Sequence, residues 1–475
     1  MKQLRGANFV DVIIAIIVVA SLSLGLLGAK GIPVCLSLLL AYAIPLVIFS
    51  LSAYYSKLGQ LAMSFAFVAM SVFLLLNYWQ FTVQLGTVDA PYLLYDAQSF
   101  YILSHDVYNH TYGSHSPLVP YMGYPIFLSW WLQCGVFDIV YPTIFNVFLL
   151  LCAMLFIARI CYFVIENRDD AKRVSSYAMA LMALIPGIMG TATLLSKEPF
   201  VIFALTACVC AMYAIRQHYK TGLYAVVLVV GLLILAYIRT TYLYVLLLFF
   251  ASVWFYKVRR GDILPMVFNC CAILAAIYLG SMHSWWQDSA FVERYVSPGQ
   301  NITFFCGDSQ EPLQRLIGPY HLYPLWFRLI LLPVTVAVQF IIPFPFITSE
   351  SPLGQPLSMV YYHRMSYLWY LSAIPMLGYF LFYWWRKGGA KLSLLAFAAA
   401  AAYCVPAFMT AGSVSRYAFC FVPFLTIVGG YVVSRLLENR EELKRLGIFA
   451  LIYVIIITAA LYIGAHPYVL FAFIR

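Results

Sequence analysis

The stretch Phe9–Ala29 is FVDVIIAIIVVASLSLGLLGA, and the stretch Gly222–Ile238 is GLYAVVLVVGLLILAYI. A helix that crosses the hydrocarbon of a bilayer needs about 20 consecutive, predominantly apolar residues. The first run carries a single charged residue, Asp11, and the second carries none. Comparable runs follow one another along the chain, so the sequence predicts a polytopic α-helical membrane protein.

The composition excludes a water-soluble fold. Of 475 residues, 64% are hydrophobic and only 10% are charged, whereas soluble domains have about 25% charged residues. A transmembrane β-barrel would show segments of about ten residues with alternating polarity. The near-continuous apolar runs favour helices, which pair every backbone N–H and C=O internally.

Lys and Arg set the predicted orientation. The net charge of +10 comes from short basic clusters between apolar runs, a distribution typical of cytoplasmic loops and unlike a nucleic-acid-binding surface. Lys2 and Arg5 therefore place the N-terminus in the cytoplasm. We expect the first run to be kept as a helix, because no small-residue cleavage site of a signal peptide follows it.

Apolar length predicts thirteen spans within one integral membrane domain, residues 1–475. The spans are Phe9–Leu27, Ile32–Tyr54, Leu61–Gln84, Pro142–Ile165, Val174–Leu195, Phe200–Ile215, Gly222–Ile238, Thr241–Tyr256, Leu264–Met282, Tyr367–Trp385, Leu392–Thr410, Tyr417–Val433 and Ile448–Gly464. They form groups in residues 1–84, 142–282 and 364–475, separated by outer loops at 85–141 and 283–363. The proline-interrupted segment Arg328–Phe346, in the second loop, is expected to be re-entrant or interfacial.

The first outer loop is predicted to carry two short helices. The spacing of Phe100, Leu103 and Val107 indicates an amphipathic helix lying on the membrane, with Asp96 in its first turn. Tyr124–Phe137 indicates a half-helix near the outer interface. A carboxylate in a first turn complements the helix dipole, and the same group facing a cavity open to lipid would be a general base. Both interpretations of Asp96 stay open.

Charges near hydrocarbon are costly and usually face a cavity or a partner. On the predicted outer face they are Asp89, Asp96, Asp106, Lys197, Glu198, Arg239, His363, Arg364 and Arg416. Each alone has an ordinary explanation, such as snorkelling to the interface. Several cations and a carboxylate on one face together suit an anionic lipid headgroup and a proton acceptor.

Several short motifs follow in a recognisable order. They are YDAQSFY at Tyr95–Tyr101, GYPIF at Gly123–Phe127, GVF at Gly135–Phe137, Phe145-Asn146, and SRYAF at Ser415–Phe419 with Pro423 beyond it. This order resembles the GT-C superfamily of membrane glycosyltransferases, in particular its protein O-mannosyltransferase and lipid A aminoarabinose transferase branch. The resemblance covers roughly Asp89 to Val433.

The resemblance implies an enzyme that moves a sugar, with inversion, from a polyprenyl-phosphate donor to a hydroxyl of a lipid, glycan or protein. Asp96 matches the catalytic base, with Asp89 in reserve. Lys197, Arg239 and Arg416 are the implied ligands of the donor phosphate. The expected substrate contacts are Tyr95, Tyr101, Glu198, His363, Arg364 and Tyr417. The implied location is the bacterial inner membrane, with the site on the outer face.

No cofactor is compelled by these residues. Some members of the superfamily use a divalent cation, and Asp89, Asp96, Glu198 and His363 could assemble a site, but no spacing fixes one. The chain also departs from many members because three spans, not one, precede the aspartate loop. The branch, and with it the acceptor, therefore stays open.

Two other functions fit parts of the sequence. An oligosaccharide repeat-unit polymerase would also span the membrane many times and would depend on outer arginines such as Arg364 and Arg416. A transporter of lipid-linked glycans would show charges near mid-membrane and an inverted repeat. Neither transporter feature is evident, since the charges cluster at span ends.

Overall fold

The computed structural model describes residues 9–80, 96–109, 123–134, 138–255, 260–282, 389–410, 420–439, 441–448, 451–452 and 455. Its main helices are α1 (Phe9–Leu27), α2 (Gly31–Ser50), α3 (Lys57–Tyr78), α4 (Asp96–Tyr108), α5 (Gly123–Gln133), α6 (Val140–Val164), α7 (Arg168–Ala183), α8 (Pro186–Ala192), α9 (Glu198–Arg216), α10 (Thr221–Ile238), α11 (Thr241–Trp254), α12 (Ile263–Met282), α13 (Ala390–Thr410) and α14 (Val422–Leu436). Every regular element in these ranges is helical, which confirms the all-α fold.

Within the described residues, six helical stretches are long and apolar enough to cross a membrane: Val10–Ser50, Lys57–Tyr78, Val140–Val164, Glu198–Arg216, Thr221–Ile238 and Ile263–Gly280. Shorter apolar helices cover Thr241–Trp254, Lys391–Tyr403 and Val422–Leu436. These helices support an integral membrane protein. The total of thirteen spans stays a prediction, because Tyr367–Trp385, Arg328–Phe346 and most of Ile448–Gly464 lie outside the described residues.

The longest of these stretches is a helical hairpin. A single turn of 3₁₀ helix, Gly28–Lys30, separates α1 from α2, and Gly28 has a left-handed φ of +57° that favours glycine. Gly31 then packs against the backbone of α1, where an added Cβ would lie 2.1 Å from the carbonyl oxygen of Ser23. The chain therefore turns back on itself, which agrees with two separate predicted spans.

Helix α9 is the centre of the bundle and contacts α6, α10 and α11. Of the most apolar 18-residue stretch of this helix, 94% is buried inside the protein. Small residues allow this close packing, since Gly231 of α10 lies against the side chain of Cys208 with no room for a Cβ. Small side chains at helix contacts are typical of membrane bundles, where backbones approach closely.

The segment predicted as one helical span, Val174–Leu195, is interrupted. Helix α7 ends at Ala183, and α8 begins at Pro186 after an extended Ile185 with ψ of 107°. Proline has no N–H to continue the helix and disfavours the helical conformation of the residue before it. Helix α8 therefore leads separately into the Ser196–Pro199 turn.

Contacts between helix ends define the two ends of the bundle. Ser56 and Ser176 share a hydrogen bond of 2.6 Å, and Gln217 donates to the carbonyl oxygen of Phe163 at 2.8 Å. Arg435 of α14 pairs with Asp170 of α7 at 3.0 Å. All of these positions are predicted to lie in cytoplasmic loops or at the cytoplasmic ends of spans, so we call this the inner end.

At the opposite end, Tyr78 donates a short hydrogen bond to Asp138. Asn77 lies 3.4 Å from the hydroxyl of Thr193. These residues are all predicted to lie toward the outer face, so we call this the outer end. The assignment of the two ends as inner and outer rests on the positive-inside pattern of the sequence.

Candidate functional site at the outer end

The turn between α8 and α9 carries the first two charges of the site. Pro199 occupies the opening turn of α9, where its missing N–H costs nothing. Glu198 begins the helix and accepts a short hydrogen bond on Oε2 from the hydroxyl of Ser196. Lys197 and Glu198 are only 2% and 4% exposed. These charges are buried at a helix end and do not snorkel to an interface.

A buried amide holds this turn in place. Asn146 of α6 is fully buried, and its Nδ2 donates to the carbonyl oxygens of Leu194 at 3.0 Å and Ser196 at 3.4 Å. These carbonyls precede α9 and belong to no helical ladder, so a side-chain donor satisfies them. Asn146 therefore fixes the backbone that presents Lys197 and Glu198.

Arg239 brings the third charge from the junction of α10 and α11. Its Nη1 lies 3.9 Å from Oε1 of Glu198, and the two side chains are 8% and 5% exposed. The guanidinium also lies over the ring of Tyr242, 5.5 Å from its centroid, a cation–π contact. Lone charges are very costly at this depth, and the fold brings these three into one buried cluster.

Helix α4 reaches the cluster through an aromatic contact. The ammonium of Lys197 lies 5.0 Å from the ring centroid of Phe100. Phe100 is 2% exposed and packs edge-on against Tyr124 of α5 at 5.2 Å. Tyr124 packs in turn against Phe200 of α9 at 5.7 Å. Helices α4 and α5 therefore lie over Lys197 and are joined to α9 by aromatic rings.

A glycine sets the position of α5. A Cβ added to Gly123 would lie 1.8 Å from the carbonyl oxygen of Tyr237, so only glycine allows this approach. Tyr237 is two residues before Arg239 in the chain. The start of α5 is therefore pressed against the end of α10 that delivers the arginine.

The phenol of Tyr124 lies among these groups. The side chain is fully buried. Burial raises the pKa of Tyr124 above its ordinary value, and the charge of Glu198 raises it further. Tyr124 therefore stays protonated at neutral pH and offers a hydrogen-bond donor to the site.

The stripe of Phe100, Leu103 and Val107 was predicted to lie on the membrane. The helix itself is confirmed, but Phe100 and Leu103 are 2% and 5% exposed, and α4 packs on α5. The predicted contact with lipid is therefore wrong for these two residues. An amphipathic pattern shows that one face is apolar and does not show which apolar partner covers it.

The structure places Arg239 3.9 Å from Glu198, which follows Lys197 in the chain. Asp96 is the first residue of α4 and lies one helical turn before Phe100. Tyr101, also on α4, contacts His105 at 4.6 Å between ring centroids. The other predicted site residues, Asp89, Tyr95, His363, Arg364, Arg416 and Tyr417, lie outside the described residues.

Sequence reasoning missed three residues of this region: Gly123, Tyr124 and Asn146. The sequence placed all three in motifs of the resemblance but gave them no role. In the part of the chain that the structure describes, no group of three or more His, Cys, Asp or Glu side chains could hold a metal ion. The predicted option of a divalent cation also involves Asp89 and His363, which lie outside the described residues, so it stays a prediction.

Comparisons with known proteins give few matches. No protein-family model matches the chain, and no curated protein sequence matches it. Among solved structures, the archaeal oligosaccharyltransferase AglB from Archaeoglobus fulgidus, in complex with an inhibitory peptide and a dolichol-phosphate, aligns with a TM-score of 0.47 at 12% identity. The alignment covers 85% of this chain and 55% of that one, so this chain spans about half the length of AglB.

Proposed function

We propose that this protein is a membrane glycosyltransferase that moves a sugar from a polyprenyl-phosphate donor to a hydroxyl acceptor. The observation that carries the proposal is the burial of Lys197, Glu198 and Arg239 together at the outer end, beneath α4 and α5. Ionisable groups held at such depth usually mark a substrate path or a binding site. A pair of cations beside apolar helices suits a phosphate whose hydrocarbon tail stays in the bilayer.

Lys197, Arg239 and Asp96 each have a part in that chemistry. When the bond between sugar and phosphate breaks, negative charge grows on the phosphate, and fixed cations stabilise it most strongly in a site without water. Lys197 and Arg239 supply those cations. The carboxylate of Asp96, at the start of α4, would remove the proton of the acceptor hydroxyl. Direct attack by that hydroxyl inverts the anomeric carbon.

The motifs in the sequence agree with this assignment. The aspartate segment, the Gly123–Phe127 motif and Asn146 occur in the order that resembles the GT-C superfamily. The structure gives two of these motifs defined positions around Lys197. The proposed acceptor class is a lipid, glycan or protein hydroxyl, and the proposed setting is a bacterial inner membrane with the site on its outer face.

The rival polymerase differs in which residues must act. It would depend on Arg364 and Arg416 and would tolerate loss of the Asp96 carboxylate. A transporter would place its charges near mid-membrane in broken helices, whereas Lys197 and Arg239 lie in the connections between helices. We therefore propose the transferase first and the polymerase second.

The test is sugar transfer by the purified protein in nanodiscs. Supplied with a panel of polyprenyl-phosphate sugars and acceptor alcohols, it should release the free carrier phosphate and form a glycoside of inverted configuration. Asp96→Asn should lose at least about 100-fold in rate, the size of a general-base contribution. Release of no carrier phosphate from any donor would reject the transferase.

Asp169→Asn is the matched control, because Asp169 also lies in the first turn of a helix, α7, at the inner end. If Asp96 only complements a helix dipole, the two variants should behave alike, with small losses of stability and unchanged transfer. If Asp96 is the base, only Asp96→Asn should stop the reaction while the protein stays folded.

A further inference from the structure

The two oxygens of the Glu198 carboxylate have different partners. Oε2 accepts the short hydrogen bond from Ser196, in the same turn. Oε1 faces Nη1 of Arg239 at 3.9 Å, beyond hydrogen-bond distance. One oxygen therefore anchors the carboxylate to its own loop, and the other balances a guanidinium across a gap.

Arg239 is held from a second side. Its guanidinium lies over Tyr242 at 5.5 Å, and the Tyr242 ring packs on Phe421 at 5.5 Å. The arginine therefore has a fixed position that does not depend on close contact with Glu198. An anion that approached Arg239 from the lipid side could replace Glu198 as its neighbour without moving the guanidinium far.

We propose that Glu198 is the resident counter-ion of Arg239 and that the phosphate of the lipid-linked substrate displaces it. This inference rests on the proposed function. Guanidinium binds phosphate through two parallel hydrogen bonds, a stronger arrangement than a pair at 3.9 Å. Glu198 supplies a negative charge beside the guanidinium of Arg239 while the site holds no substrate, and it competes with the phosphate for Arg239.

Removing the charge of Glu198 should strengthen phosphate binding, whereas removing an ordinary binding residue weakens it. Removing the charge of Glu198 removes a competitor, so Glu198→Gln should bind polyprenyl phosphate about fivefold more tightly or better, the size of a modest coupling between two sites. Glutamine keeps an acceptor for the Ser196 hydroxyl, so the loop stays anchored. A metal ligand or a general base at this position would instead give weaker binding or no tightening.

Ser196→Ala gives a second test, in which the affinity for polyprenyl phosphate should change in the opposite direction. Without the Ser196 hydroxyl, Glu198 is free to close on Arg239 and compete more strongly. Polyprenyl phosphate should then bind more weakly than to the wild type. This variant keeps all three charges of the cluster, so it separates the competition from the loss of a charge.

The experiment measures the Kd of sugar-free polyprenyl phosphate in nanodiscs for the wild type, Glu198→Gln and Ser196→Ala. Inorganic phosphate and the uncharged polyprenol form separate arms, which distinguish a lipid-linked phosphate from a free one. Glu438→Gln is the matched control, since Glu438 also faces arginines but lies at the inner end. Its Kd should equal that of the wild type.

Three outcomes are informative. Tighter binding by Glu198→Gln together with weaker binding by Ser196→Ala supports the displacement. Binding by the wild type that Glu198→Gln leaves equal or weaker overturns the displacement and leaves the proposed function standing. Failure of the folded wild type and of both variants to bind polyprenyl phosphate overturns the proposed function and the displacement together.

Discussion

The two ends of the bundle use charged residues in opposite ways. At the inner end, Asp170 and Glu438 alternate with Arg173 and Arg435 in a network of four pairs, 2.5 to 3.1 Å apart. Its side chains are 12% to 48% exposed. At the outer end, the Arg239–Glu198 pair is 3.9 Å apart and at most 8% exposed. The inner ion pairs are short and partly exposed to solvent, whereas the outer pair is more widely separated and buried.

The inner network fastens two helices and needs no ligand. Each of its arginines contacts both acids. The same helices, α7 and α14, pack closely at Gly430. A Cβ added to this glycine would lie 2.7 Å from the carbonyl oxygen of Val174. Partly exposed ion pairs contribute little free energy each. Under the proposed function, the buried and more widely spaced charges belong to the substrate site, and the tightly paired ones belong to the scaffold.

The largest expected difference between the two ends is in transfer activity. Lys197→Gln should lower the rate of sugar transfer by at least about 100-fold, the usual cost of removing one group that stabilises charge in a transition state. Arg173→Gln, which removes a cation from the inner network, should leave the rate within about twofold of the wild type. A steady-state assay of sugar transfer by both variants tests this difference. Equal rates would contradict a functional distinction between the two ends.

A clear loss is also expected from Gly123→Ala. The new Cβ would meet the carbonyl oxygen of Tyr237 at 1.8 Å, so α5 must shift away from Arg239, at a cost of about 1–3 kcal/mol. The temperature of thermal unfolding and the rate of sugar transfer should both fall. Gly222→Ala is the control, since nothing lies within 4 Å of a Cβ there; a similar loss in that variant would mean that the effect is not the contact with Tyr237.

Asn146→Ala should have an intermediate effect. It leaves the carbonyls of Leu194 and Ser196 without their donor, which costs about 1–3 kcal/mol, and it loosens the turn that presents Lys197. We expect KM for the donor to rise about tenfold. Asn167→Ala, which removes the cap of α7 at the inner end, should cost about 1 kcal/mol of stability with an unchanged KM; a raised KM there would contradict the account.

The smallest effect should come from Glu438→Gln. Glu438 is 38% exposed and pairs with Arg173 and Arg435, so its loss should lower the free energy of unfolding by less than about 1 kcal/mol. High salt should remove most of the difference from the wild type, because exposed pairs are screened. Unfolding of both proteins at low and high salt measures this, and a large loss that salt does not change would show a buried role.

Much of the fold could be predicted from apolar length. Helix α10 begins one residue before its predicted span Gly222–Ile238, and α9 extends the span Phe200–Ile215 by only a few residues. Length and hydropathy decide such helices because the bilayer demands both. The break between α7 and α8 is caused by Pro186. Apolar length alone did not predict it, because the proline lies within a continuous apolar run.

The sequence singled out the charged residues of the candidate site but not the residues whose packing positions them. Lys197, Glu198 and Arg239 were singled out because charges near hydrocarbon are costly and usually face a cavity or a partner. Asn146 acts on a turn 48 residues further along the chain, and Gly123 matters only because α10 ends beside it. A single sequence carries no signal for such meetings between distant segments.

The central claim is that a lipid phosphate binds between Lys197 and Arg239 at the outer end. A cryo-EM map of the full chain in nanodiscs with polyprenyl phosphate tests it most directly. We predict density for the phosphate within hydrogen-bond distance of the Lys197 ammonium and the Arg239 guanidinium, with the prenyl chain leading into the bilayer. Phosphate density at the inner arginines, with the outer cluster unchanged, would contradict the account.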